Sequence, residues 1–164
     1  MSKKQAKNTW YPLDNAGVLY SAIQKDRYSA IYRFSAVMTE PVNPPLLQRA
    51  VEKTMPRFPG FAVRMRRGAF WCYFEPNPNP GPFVKQDMVN PCQPVRFRED
   101  NEWLIRIFYY EHRISLEVFH AISDGAGTLV FFRTLLAVYL RELGYAIPIG
   151  PGILDITQPP RKEE

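Results

Sequence analysis

The chain has 164 residues, of which 46% are hydrophobic and 14% aromatic, and its formal net charge is +5. This length and composition predict one folded domain with a substantial core and exclude a disordered chain. No apolar run reaches the roughly 18 residues that a membrane span needs, and the polar, basic N-terminus lacks the apolar segment of a secretory signal. We therefore expect a cytoplasmic protein with no membrane partner that keeps Cys72 and Cys92 reduced.

The first predicted elements are a helix, a strand and a second helix. Residues 15–23 form a mixed segment that is compatible with a helix of two turns. Residues 28–38 are rich in aromatic and β-branched side chains, which predicts a strand. Asn43 is suited to cap the next helix, because two prolines follow it at the first helical positions. Apolar residues recur there at helical spacing until Pro56 ends the pattern.

Two hairpins and a long helix are predicted downstream. Residues 61–75 predict the first hairpin, and residues 77–82 predict a proline-rich loop. Residues 102–110 and 114–119 predict the two strands of the second hairpin, and residues 127–143 have a strong helical pattern of apolar side chains. Runs of antiparallel strands with helices on one side indicate an α+β sandwich.

Several conspicuous residues favour ordinary structural roles. The basic cluster Arg64–Arg67 lies in a predicted strand, where side chains alternate between faces, and we expect a solvated face with no nucleic-acid partner. His112 lies in a predicted turn and is expected to be exposed. A group of aromatic side chains in the first hairpin is expected to pack in the core. This group comprises Phe70, Trp71, Tyr73 and Phe74.

The stretch from His120 to Gly127 carries the main functional signal. His120 follows a predicted strand, where a rigid element fixes its backbone and its neutral ring can accept a proton at pH 7. Asp124 lies near the start of the next helix, where a carboxylate caps free N–H groups and is favoured by the helix dipole. Gly125 and Gly127 leave the backbone open to a ligand. The same residues also fit a purely structural turn between strand and helix.

The residues His120-Ala-Ile-Ser-Asp124-Gly125 match the HxxxDG motif of the chloramphenicol acetyltransferase-like superfamily. The stretch at 43–65 resembles the N-terminal helix of that superfamily and its turn into the next strand, and WYPLDNAGVLY resembles the start of bacterial alcohol acetyltransferases. This resemblance implies a two-layer sandwich with a largely antiparallel sheet and helices on one side. It also implies that His120 is the general base, that Asp124 is structural and pairs with an arginine, and that Gly125 clears a channel to the thioester.

The sequence also departs from the family pattern. Phe119 stands where many members have a first histidine, and the DFGWG-type motif of plant members is absent. Two-domain members are far longer, so residues 1–164 are expected to be the N-terminal domain of a two-domain protein whose C-terminal half is absent. A trimeric, single-domain chloramphenicol acetyltransferase is the competing arrangement.

The resemblance implies an acyl-CoA-dependent acyltransferase, most like an O-acetyltransferase that acts on an alcohol. Its partners would be a small-molecule acyl acceptor, acetyl-CoA or another acyl-CoA as co-substrate, and the missing half, with a homo-oligomer as a further possibility. Neither a metal nor a tightly bound cofactor is expected. A peptide-synthetase-type condensation domain with a carrier-bound donor is the alternative enzyme, and a non-catalytic binding or scaffold domain is the alternative without activity.

Overall fold

The computed structural model describes residues 11–12, 29–68, 72–87, 90–96 and 98–160. The helix expected at 15–23 lies outside the described residues. Within them the chain forms seven strands and two α-helices. In chain order these are β1 (Tyr11–Pro12), β2 (Ile31–Val37), α1 (Pro44–Thr54), β3 (Val63–Arg67), β4 (Cys72–Pro76), β5 (Val84–Gln86), β6 (Ile105–Tyr110), β7 (Arg113–Phe119) and α2 (Gly125–Glu142).

Helix α1 begins as its sequence predicts. The side-chain oxygen of Asn43 accepts a hydrogen bond from the backbone N–H of Leu46 at 3.2 Å, and prolines occupy the first helical positions. The helix ends at Thr54, where a short 3-10 turn that contains Pro56 follows. Its buried face packs against the longer helix α2, and the Tyr139 hydroxyl accepts a hydrogen bond from the Asn43 N–H at 2.8 Å. The two helices therefore form a single layer.

A four-stranded sheet in the order β2-β7-β6-β5 lies under the helices. β2 pairs antiparallel with β7 from Ile31 opposite Phe119 to Val37 opposite Arg113, and β7 pairs antiparallel with β6. β5 is parallel to β6, so the sheet is mixed. Alternate side chains of the middle strands, such as Leu116, are fully buried against α1 and α2 in the main core. The expected α+β sandwich is confirmed.

A second, three-stranded sheet in the order β1-β4-β3 was not anticipated as a separate unit. The first predicted hairpin is present as β3 and β4, but it pairs with β1 and not with the four-stranded sheet. Met65 and Phe74 from this small sheet pack with Leu104 and Phe119 in a second apolar cluster. Phe119, at the end of β7, thus joins the large sheet to the small one.

Strand β6 begins at Ile105 and not at 102 as predicted, because the preceding residues turn in the left-handed region. Asp100, Asn101 and Glu102 have φ angles of 50°, 55° and 64°. This conformation is costly for residues with a Cβ. Two neighbouring amides compensate for part of that cost: the side-chain N–H groups of Asn77 and Asn79 both donate to the Asn101 carbonyl at 3.0 Å.

Two of the three arginines in the basic cluster on β3 are paired, which corrects the expectation of a simple solvated face, whereas Arg67 is exposed as expected. The Arg64 guanidinium contacts Glu75 at 2.6 Å and Glu102 at 2.7 Å. Arg66 contacts the same two carboxylates at 2.8 and 2.6 Å. Two positive charges therefore meet two negative charges, and this surface does not present a concentrated basic face.

Other sequence expectations can be placed directly. His112 is exposed in the turn between β6 and β7, and Phe74 is buried, as predicted. Tyr73 is only half-buried, and Phe70 and Trp71 lie outside the described residues. Both cysteines are free. Among the described helices, none combines the length and apolar character that crossing a bilayer requires.

A cluster of four charges makes the free energy of unfolding depend on pH. The cluster consists of Arg64, Arg66, Glu75 and Glu102. The hydrogen bond from Arg66 lowers the pKa of Glu75 below its ordinary value. For Glu102 burial acts in the opposite direction, but hydrogen bonds from Arg64 and Asn79 outweigh it and lower the pKa. Since both pKa values are lower in the folded chain, the cluster stabilises the fold above the ordinary value of 4.5 and loses this contribution as the pH falls below it.

We expect the double substitution E75Q/E102Q to lower the free energy of unfolding at neutral pH and to flatten its decline between about pH 5 and about pH 3. Urea unfolding at a series of pH values measures this. Glu99→Gln, which removes an exposed carboxylate from a surface pair with Arg96, is the matched control. An unchanged acid slope in E75Q/E102Q would contradict the prediction.

Candidate functional site

The strand that leads to the HxxxDG motif is the most buried element of the sheet. Every side chain of β7 from Ile114 to Phe119 is buried. His120 follows it and is half-exposed. Its backbone N–H donates to the carbonyl of Ala30 at 2.8 Å, which extends the β2–β7 ladder by one hydrogen bond. A partly exposed imidazole is therefore held at the end of a fixed strand.

The face of the sheet opposite the helices fixes β7 through charge. Glu117 is 2% exposed, and its carboxylate contacts Arg33 of β2 at 2.6 Å and Arg106 of β6 at 2.8 Å. It also accepts a hydrogen bond from the backbone N–H of Cys92 at 2.6 Å. Arg33 additionally contacts Asp87 at 2.7 Å. Three strands and a loop are thus joined three residues before His120.

Asp124 occupies the N-cap of α2, as its sequence position predicts. Its side-chain Oδ1 accepts a hydrogen bond from the Gly127 N–H at 2.8 Å, and its carbonyl accepts one from the Thr128 N–H at 3.1 Å. The resemblance implies an arginine partner for this carboxylate. In the part of the chain that the structure describes, no arginine forms an ion pair with Asp124.

The two glycines of the motif differ in what surrounds them. A Cβ at Gly125 would meet only the Phe34 ring, at 4.0 Å, which is an ordinary contact. A Cβ at Gly127 would lie 2.8 Å from the Ser123 hydroxyl and 3.3 Å from Asp124 Oδ1. A Cβ at 127 would therefore force the Ser123 hydroxyl to move and would crowd the capping carboxylate, whereas one at 125 would not. The role of Gly125 in clearing a substrate channel stays a prediction, since no contact within the described residues requires a glycine there.

Tyr32 is a site residue that sequence reasoning missed. It lies on β2 opposite Val118, and its hydroxyl reaches the carbonyls of Ser123 and Asp124 at 3.0 and 2.9 Å. Its ring lies 4.8 Å from the His120 ring at an angle of 60°. Nothing in the sequence indicates this role, because it depends on the register between β2 and β7.

The imidazole of His120 gives the site a group that can transfer a proton. The described residues hold no group of three or more histidine, cysteine, aspartate or glutamate side chains in a metal-binding arrangement. Two clefts of about 260 and 190 Å³ lie beside Trp103 and Tyr139, and neither is lined by His120. A half-exposed imidazole at the end of a rigid strand is suited to accept a proton from a bound nucleophile.

Comparison with solved structures identifies the fold. The chain is similar to the starter condensation domain of rhizomide synthetase RzmA, with a TM-score of 0.65 and 14% identity over 85% of this chain and 40% of that chain. It is also similar to the first condensation domain of the calcium-dependent antibiotic synthetase, with a TM-score of 0.60 and 21% identity over 87% and 40% of the two chains.

The X-domain from teicoplanin biosynthesis shares the fold, with a TM-score of 0.64 and 15% identity over 88% of this chain and 35% of that chain. A chain of the complex of the X-domain and OxyB from teicoplanin biosynthesis is similar as well. A scan against protein-family models finds no match, and a search of the curated proteins finds no significant relative. The chain thus has the fold of about 40% of a condensation domain, which confirms the expected chloramphenicol acetyltransferase-like architecture.

The glycine pair gives a test of the capped loop. We expect Gly127→Ala to be less stable than Gly125→Ala by about 1 kcal/mol, the size of a helix N-cap, because the new methyl group displaces Ser123 and the capping carboxylate. Thermal unfolding of the two variants measures the difference. Equal stabilities would show that the cap tolerates a Cβ at 127.

Asp124→Asn tests whether this carboxylate acts on structure or on chemistry. We expect the fold to lose only about 0.3–1 kcal/mol, since the asparagine amide oxygen can still cap the helix and the substitution removes only the charge that the helix dipole favours. The melting temperature and any acyl-transfer rate are measured on the same preparation. A lower rate with unchanged stability and an undisplaced loop would instead assign Asp124 a direct chemical role.

Proposed function

We propose that the chain forms one half of a condensation-type acyl-transfer site in which His120 is the general base. The observation that carries this proposal is the half-exposed imidazole at the end of β7, inside an HxxxDG loop capped by Asp124, in a fold shared with condensation domains. The acceptor is an amine or a hydroxyl, and the donor is an acyl thioester. The second half of the site would come from residues beyond this chain or from a second molecule.

The proposed reaction transfers one acyl group from the thioester to the acceptor and one proton from the acceptor to the departing thiolate. The lone pair of the acceptor attacks the thioester carbonyl carbon, and the imidazole of His120 takes the N–H or O–H proton. The tetrahedral intermediate collapses, the C–S bond breaks, and the proton passes to the departing thiolate. The negative oxygen of the intermediate needs hydrogen-bond donors, and none is assigned to the described residues. This requirement is a reason to expect a second half.

Two donors fit the motif equally well in chemical terms, and the comparisons favour one of them. The similar structures include condensation domains and an X-domain, which supports a carrier-bound thioester over the acetyl-CoA of an alcohol acetyltransferase. Net positive charge is not concentrated on β3, where Arg64 and Arg66 are paired. We therefore propose a carrier-bound thioester as the acyl donor, with an acyl-CoA as the alternative.

A binding domain is the second candidate function. One chain of the complex of the X-domain and OxyB is similar in fold over 36% of its length, with a TM-score of 0.66 and 12% identity. A chain with this fold can therefore serve to bind a protein partner. In that case the HxxxDG loop would have only its structural role, with Asp124 as the N-cap of α2.

We expect His120→Ala, made in the full natural protein, to lower acyl transfer by about 10²–10⁴-fold without unfolding it. The assay follows free thiol with an aminoacyl-pantetheine thioester and with acetyl-CoA as donors, each with an amine and an alcohol as acceptors. His112→Ala is the matched control, because His112 is the only other histidine and is exposed in a turn. An unchanged rate in folded His120→Ala would overturn the catalytic assignment and favour the binding domain.

We further expect residues 1–164 alone to fold and to show no acyl transfer, because one base without oxyanion donors and a second substrate surface does not complete a site. The same thiol assay, with circular dichroism to verify the fold, measures this. Turnover by the isolated chain that depends on His120 would contradict the expectation. It would favour the single-domain, trimeric arrangement, which sedimentation would then reveal.

A further inference from the structure

We propose that Tyr32 is a positioning residue for this site: its hydroxyl holds the loop between His120 and α2, and its ring sets the orientation of the His120 imidazole. This inference rests on the proposed role of His120 as the base. Tyr32 does not contact the reacting atoms in the proposed reaction. It acts on them through His120 and through the backbone from Ser123 to Thr128.

The hydroxyl of Tyr32 has three polar neighbours. Because it carries a single proton, the direction of each hydrogen bond can be assigned. It lies 3.0 Å from the Ser123 carbonyl, 2.9 Å from the Asp124 carbonyl and 2.5 Å from the Thr128 hydroxyl. Carbonyl oxygens only accept, so the phenolic proton is shared between the two carbonyls and the hydroxyl of Thr128 donates to Tyr32. Every hydrogen-bonding group in this set then has a partner.

This arrangement requires a neutral phenol. Burial raises the pKa of Tyr32 above its ordinary value, and the hydrogen bond with Thr128, which acts in the opposite direction, does not cancel that effect. The hydroxyl therefore keeps its proton at neutral pH. A phenylalanine at this position would keep the ring but remove the only side-chain donor that reaches the Ser123 carbonyl among the described residues.

The ring of Tyr32 acts at the other end of the same loop. It lies 4.8 Å from the His120 ring, in an edge-to-face arrangement with an interplanar angle of 60°. Such contacts between aromatic rings prefer particular orientations. Tyr32 is itself fixed by the β2–β7 ladder and by an edge contact with Phe34 at 5.9 Å. A single side chain thus contacts both the base and the helix that follows it.

Two substitutions in the 164-residue chain distinguish the role of the Tyr32 hydroxyl from the role of its ring. Tyr32→Phe removes the hydroxyl, and we expect the amides of Gly127 and Thr128 to exchange hydrogen about tenfold faster, the size expected for one hydrogen bond. Tyr32→Leu removes the ring as well, and we expect the Cε1 proton signal of His120 to move. His112 provides an internal reference in the same spectrum. Tyr109→Phe, on the same sheet face, is the matched control.

Unchanged amide exchange in Tyr32→Phe would overturn the role of the hydroxyl, and an unmoved His120 signal in Tyr32→Leu would overturn the role of the ring. If Tyr32→Leu does not fold, the nuclear Overhauser effect between the ring at position 32 and His120 is measured in Tyr32→Phe and in the unsubstituted chain. Its absence in both would also overturn the role of the ring.

An activity measurement separates this inference from the proposed function. In the full natural protein we expect Tyr32→Phe to lower kcat about tenfold with little change in KM, since the hydroxyl orders the base and not the substrate. An unchanged kcat would overturn the positioning role. If the unsubstituted protein transfers no acyl group from either donor, the proposed function fails, while the exchange and imidazole measurements still decide what Tyr32 does to the loop.

Discussion

The side chain of Glu117 lies in the middle of the four-stranded sheet and is 2% exposed. Its negative charge must therefore be compensated by positive groups and hydrogen-bond donors of the protein itself. Removing one partner from a buried ion pair typically costs about 3–5 kcal/mol, so each contact to this carboxylate constrains the element that provides it. Arg33 comes from β2, Arg106 from β6 and the backbone N–H of Cys92 from the loop between β5 and β6. The strand that carries His120 is therefore fixed from both sides before it reaches the motif.

The opposite face of the same strands is apolar, and the division between the two faces determines where His120 lies. Leu116 and Val118 of β7 are fully buried against the helices, while Glu117 and Phe119 point to the other side. This alternation continues past the end of the strand and brings His120 to the helix side, beside Tyr32. Phe119, directly before His120, is fully buried in the second cluster.

The sequence predicted the elements whose signal is local. The cap of α1 at Asn43 and the cap of α2 at Asp124 depend on residues within one turn of each other, and both are present. Strand β5, the separate small sheet and the Tyr32 contacts depend on pairings between distant segments, which no local pattern specifies. The late start of β6 has a different cause: the left-handed turn at Asp100–Glu102 includes a glutamate, which does not favour this conformation, and is held by asparagines more than twenty residues away.

The distribution of exposed apolar side chains bears on how a second half could meet this one. Among the described residues, Val37 and Tyr110 are exposed around Arg113, at the start of β7, about 20 Å along the strand from His120. Phe83, Tyr145 and Ile149 are the other large apolar side chains that are exposed within the described ranges. Near the histidine, the described exposed residues are Asp124, the N-cap of α2, and Gly125 to Gly127 in its first turn, which carry no large side chain. A partner that covers His120 would therefore meet backbone groups and a capped helix end there. To reach Val37 and Tyr110 as well, its contact surface would have to span the length of the strand.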